Sequence, residues 1–120
     1  LVDKNFTVLS GNDSVTLPLI SVGGKGVISV LSNILPAEVK KMVDLALAGN
    51  FKDAGALHHK LWRLFNDIFV ETNPVPIKTA LYLAGIIDTL EFRLPLCEME
   101  EKNLKIMRDS FEKYGYKFKR

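Results

Sequence analysis

Several things are scarce in this sequence. One cysteine, Cys97, stands among 120 residues. A lone thiol forms no intrachain disulfide, so a disulfide-stapled fold is excluded and a reducing, cytoplasmic setting is expected. Its neighbours form no papain-like or caspase-like surround, and the expected role is a small buried hydrophobe. The two histidines, His58 and His59, are adjacent. Neighbours on a helix point in different directions, whereas a helical zinc pair needs i, i+4 spacing and a third ligand. No metal site is expected. Charge of one sign is scarce too: 16 Lys+Arg against 14 Asp+Glu leave a net +2. That gives no electrostatic case for nucleic acid. The one local excess, Lys113 to Arg120, reads as a solvated, fraying terminus. No apolar run approaches the roughly 18 residues of a membrane span, and the N-terminus lacks signal-peptide character. The chain opens on Leu1 without Met; a cut edge is expected there, from truncation, cleavage or an unseen upstream segment.

What is present is ordinary globular material, 48% hydrophobic and 25% charged. This length is one domain or part of one. The centre of the pattern is Gly23-Gly24-Lys25-Gly26-Val27-Ile28-Ser29-Val30-Leu31-Ser32-Asn33. Val27, Ile28, Val30 and Leu31 do not alternate with polar residues, as they would in a strand with one wet face. Near-continuous apolar character marks a strand buried on both faces, usually in a parallel sheet. A short buried helix shares that pattern, but the length and β-branching favour a strand.

After a short lead-in over Leu1–Lys4, Phe6-Thr7-Val8-Leu9 reads as a first strand. It ends in Ser10-Gly11-Asn12-Asp13, a glycine turn whose Asn, Asp or Ser can cap a helix. Val15 to Val22 reads as a short helix that tolerates Pro18 near its start, and Gly23-Gly24 ends it. With the strand from Val27 this makes a βαβ unit. Pro36 suits a first helical turn, and Val39, Met42, Val43 and Ala46 recur at helical spacing up to Gly49-Asn50. A longer helix begins near Phe51, with Ala54, Leu57, Leu61, Leu64, Phe65 and Ile68 inward and Lys60, Arg63 and Asp67 outward. Asn73-Pro74-Val75-Pro76 is a rigid break. Ile77–Leu83 makes another helix, closed by Gly85. Arg93-Leu94-Pro95-Leu96 reads as an extended connection. The last helix runs from about Met99 to Tyr114, with Leu104, Met107 and Phe111 inward, and Gly115 stops it.

Two further features invite a chemical reading. Gly24-Lys25-Gly26 invites a phosphate-loop reading, but that pattern needs glycine where Leu19 stands and Ser or Thr where Gly26 stands. Lys25 is expected to face solvent on a turn. Lys78, at the end of Asn73-Pro74-Val75-Pro76-Ile77-Lys78, is expected in a structural ion pair rather than as a catalytic amine.

Three segments together carry a resemblance. The turn Leu9-Ser10-Gly11-Asn12-Asp13, the stretch Gly23 to Asn33 and the segment Glu71-Thr72-Asn73-Pro74-Val75-Pro76-Ile77-Lys78 occur in that order, and the chain resembles the C-terminal portion of the dihydrodipicolinate synthase family. The resemblance runs across nearly the whole chain. It implies an α/β fold, mostly α by content: the last two β/α units of a (β/α)8 TIM barrel over residues 1–50, then a C-terminal helical domain over 51–120. A complete barrel takes roughly 250 residues, so two strands cannot close one. Val27 to Leu31 would then present an unpaired apolar edge, covered by the rest of the barrel or by self-association.

The chemistry follows from the resemblance as well. In that family a lysine condenses with pyruvate to a Schiff base, whose enamine adds to the aldehyde of aspartate semialdehyde. A tyrosine, a threonine and a partner-chain tyrosine relay protons, and an arginine holds the acid group. None of these matches a position here, so no catalytic residue is expected in this chain and the chain alone should be inactive. The resemblance implies a lyase of lysine and diaminopimelate biosynthesis, homo-oligomeric, with no cofactor, no membrane and no nucleic-acid partner. The matching substrate-binding positions are Ile28, Gly11, Asn12 and Asp13. Ile28 would line the keto-acid pocket through its main chain. The family often has Asp where this chain has Asn12. The sialic-acid branch of the superfamily typically has Phe and Glu at Asn12 and Ser14, so the dihydrodipicolinate branch is favoured over a sialic-acid or keto-sugar-acid aldolase. The competing reading is a non-catalytic helical interaction module, self-associating through Leu57, Leu61 and Leu64.

Overall fold

The computed structural model describes Asp3 and residues 5–120; apart from Asp3, the lead-in over Leu1–Lys4 lies outside the described residues. The chain divides into two units, one ending at His59 and the other running from Lys60 to Arg120.

In the first unit, residues 8–10 and 25–28 lie side by side and parallel, with Ser10 opposite Val27. Asn12 has extended backbone (φ −138°, ψ 127°), and its side chain accepts from the Ser14 N–H, starting a 3-10 turn over Asp13–Val15. That turn runs into α1 (Thr16–Ser21), where Pro18 is third and its missing N–H costs no helical bond. The chain then doubles back tightly. A Cβ on Gly24 would lie 2.9 Å from the Leu19 carbonyl oxygen, so only glycine fits there. After a 3-10 turn over Leu31–Asn33, α2 (Pro36–Leu47) opens with Pro36 at its first position, as expected of proline. Asn50 caps α3 (Phe51–Asp67) by accepting from the Asp53 N–H at 3.2 Å. Ile20, Ala46 and Ala54 meet at the core of this unit, with Leu17, Val43 and Leu45 packed on them.

The two expected strands are not regular strands. Among the described residues the pairing is confined to the Ser10–Val27 bridge. Ser29 has already left it, and Leu31 is buried as part of the 3-10 turn instead. Nor is the stretch from Val27 buried on both faces: Ile28 is 70% exposed. The physical reason is that an apolar parallel strand needs neighbours on both edges and layers on both faces. Among the described residues, each segment pairs along its edge with the other alone.

In the second unit, Leu61, Leu64, Phe65 and Ile68 are buried. This removes the surface required by the helical interaction module, because two of its three leucines are not accessible. Asp67, expected in solvent, is half-buried and accepts from the Ser110 hydroxyl. The next helix, α4, begins two residues earlier than expected (Val75–Leu83), with Pro76 in its first turn. Among the described residues Lys78 forms no ion pair; it donates to the Glu91 carbonyl and lies over the Phe92 ring. Leu94-Pro95 forms a turn closed by Leu96 N–H to Arg93 O at 3.0 Å, not an extended connection. Cys97 is exposed, against expectation, because it lies in the open segment after that turn. The last helix, α5 (Glu101–Tyr114), buries Met107, Ser110 and Phe111. Gly115 stops it at φ 98°, a left-handed geometry that glycine adopts without strain. The tail beyond does not fray. Lys119 and Arg120 both donate main-chain N–H bonds to the Leu83 carbonyl, and Arg120 donates from its side chain to Tyr82 and Ile87. Phe118 packs on Phe111 with ring centres 5.2 Å apart. Asp109 bridges Lys113 and Arg63. The hydrogen bond from Lys113, with the charges of Lys113 and Arg63, holds its carboxyl below the usual range.

Candidate functional site

The parallel pairing brings the sequence-derived positions together. Lys25 donates its N–H to the Val8 carbonyl, Ser10 to Gly26, and Ile28 back to Ser10, at 2.9, 2.8 and 2.8 Å. Gly11 therefore leaves the first segment beside Ile28. Gly11, Asn12 and Ile28 are exposed, whereas Asp13 is buried at 1%.

Several polar groups here are already engaged. The Asn12 side chain accepts from both the N–H and the hydroxyl of Ser14, each at 2.9 Å. Its carbonyl accepts from the hydroxyls of Ser10 and Thr16, at 2.7 and 3.0 Å. Asp13 reaches across to the second segment: one carboxylate oxygen accepts from the Ser29 hydroxyl and the other from the Val30 N–H at 2.9 Å. Ser29 Oγ in turn accepts from the Ser32 N–H at 2.9 Å. Both oxygens of this buried side chain are thus engaged, as buried polar groups generally are. Its geometry is that of a tie between two turns. Ser29 and Ser32 were not among the residues singled out from sequence; the only available signal was an Asp and a Ser, each just past the end of a paired segment.

What remains open at this end is main chain and apolar side chain. Among the described residues the N–H of Ile28 is spent on the Ser10 carbonyl, while its side chain is exposed. Among the described residues, no three His, Cys, Asp or Glu side chains gather as a metal site. His58 is buried; burial first, and the neighbouring His59 second, lower its pKa.

A family model described as the dihydrodipicolinate synthetase family matches residues 1–113. This chain belongs to that family. Among members of the dihydrodipicolinate synthetase family, the 4-hydroxy-tetrahydrodipicolinate synthase of Methanocaldococcus jannaschii is 51% identical over 113 residues, covering 94% of this chain and 39% of the relative. That of Sulfurihydrogenibium sp. (strain YO3AOP1) is 47% identical over 115 residues, covering 96% and 39%. The crystal structure of dihydrodipicolinate synthase from Aquifex aeolicus superposes with a TM-score of 0.95 at 45% identity, over 99% of this chain and 40% of that one. The chain spans about two fifths of the length of the curated relatives it matches.

Proposed function

We propose that this chain is the C-terminal portion of a 4-hydroxy-tetrahydrodipicolinate synthase, a lyase that condenses pyruvate with aspartate semialdehyde. In this reading residues 1–50 supply the last two β/α units of a (β/α)8 barrel and residues 51–120 the C-terminal helical domain. The support is one observation: nearly the whole chain is about half identical to synthases whose length it spans only in part. The arrangement at the site is compatible with it. Barrel enzymes keep their chemistry at the C-terminal ends of the strands, and Gly11, Asn12 and Ile28 lie at that end of the paired segments.

The chemistry belongs to a lysine outside this chain. Its amine adds to the keto carbon of pyruvate, water leaves, and the imine loses a proton to give an enamine that attacks the aldehyde. This chain provides one wall, with the Ile28 main chain and the Gly11–Asp13 turn beside the bound keto acid. The full enzyme works in the cytoplasm as a homo-oligomer. The test is condensation by the full-length enzyme, with pyruvate held constant and the aldehyde varied. Turnover with aspartate semialdehyde is expected. Turnover with a sugar aldehyde and none with aspartate semialdehyde would overturn the substrate assignment.

A further inference from the structure

We propose that Ser29 is a positioning residue for the keto-acid pocket, fixing the Ile28 main chain through the buried Asp13 while touching no substrate itself. This rests on the reading of Ile28 as pocket wall given above.

Two anchors hold Ile28. On one side its N–H donates to the Ser10 carbonyl at 2.8 Å. On the other, Asp13 takes the Ser29 hydroxyl on one oxygen and the Val30 N–H on the other. The peptide plane between Ile28 and Ser29 lies between these anchors. The direction of the Ile28 carbonyl is therefore set by both. Ser29 is the centre of the second anchor: it donates to Asp13, accepts from the Ser32 N–H at 2.9 Å, and its carbonyl accepts from the Ser32 hydroxyl at 3.0 Å. A hydroxyl committed as donor and acceptor is not a nucleophile in waiting. The same geometry makes Asp13 the anchor of the turn that faces the keto acid, because drawing it away would strip a buried carboxylate of two donors. Removing the Ser29 hydroxyl leaves one oxygen of Asp13 without its donor and frees the Ile28 carbonyl to turn. A misplacement of that kind, small in distance, has large kinetic effects.

The test uses the full-length enzyme. Pyruvate and borohydride are applied first to the unaltered protein, where a reduced adduct on an upstream lysine is expected; its absence would sink the parent reading, whatever Ser29 does. With the adduct present, Ser29→Ala should raise the KM for pyruvate roughly tenfold and leave kcat within about twofold, the mark of lost binding shared by ground and transition states. Ser29→Thr, which keeps the hydroxyl, should restore KM. Ser29→Cys, which keeps the shape and weakens the donor, should fall between, and it carries the test if the alanine variant does not fold. An unaltered KM in the alanine or cysteine variant, or a fall in kcat that threonine does not rescue, would overturn the proposal.

Discussion

Asp13 is a buried acid whose two oxygens each take one donor from the neighbouring turn. Replacing it with alanine orphans the Ser29 hydroxyl and the Val30 N–H. A loss of about 2 kcal/mol is expected in urea unfolding of this chain, typical of donors robbed of a charged acceptor; an unchanged midpoint would mean that the tie holds nothing. The turn itself was legible, since Gly11 and Asn12 are turn and cap residues. Asp13's partner was not, because Ser29 is 16 residues away and nothing local marks it. His58 allows a prediction with a definite sign. Its folded pKa is lowered, so the unfolded chain takes the proton first as pH falls through about 6.5. Its contribution is whole above that pH and declines below it, until the folded histidine is also protonated. Urea midpoints should fall between about pH 7.5 and 5.5, and His58→Gln should flatten that fall. A slope unaffected by the substitution would contradict the burial argument.

The helices α2, α3 and α5 were readable because their apolar residues recur at helical spacing over two or more turns. Pro36 and Gly115 mark ends by backbone chemistry, and both stand where that chemistry predicts. The tail is illegible in the sequence for the opposite reason. Lys117, Lys119 and Arg120 suggest solvent, while the groups that pin the tail are carbonyls more than 30 residues away. Phe118, half-buried against Phe111 and Tyr116, is its apolar anchor. Phe118→Ala should cost roughly 2 kcal/mol of stability through lost apolar burial, measured by thermal or urea unfolding. Amide hydrogen exchange at Lys119 and Arg120 should rise with it. Unchanged protection there would mean that the main-chain bonds to Leu83 suffice.

The chain as a whole exposes apolar side chains where the two segments pair: Phe6, Val8, Leu9 and Ile28. An open apolar edge is a template for association. Sedimentation of the isolated chain should show species larger than a monomer, and Ile28→Lys should reduce them; a clean monomer would mean the edge is not sticky. The sequence marked this stretch as one that belongs between neighbours, through its unbroken β-branched run. It could not show how little of the strand forms, because sheet pairing is a non-local property. The claim that joins all these features is that the chain supplies a pocket wall and no nucleophile. The direct measurement is an intact-mass spectrum of this chain after pyruvate and borohydride. A single unmodified species near 13.5 kDa is predicted. A pyruvate adduct on any of its own lysines would contradict the account and relocate the chemistry to this chain.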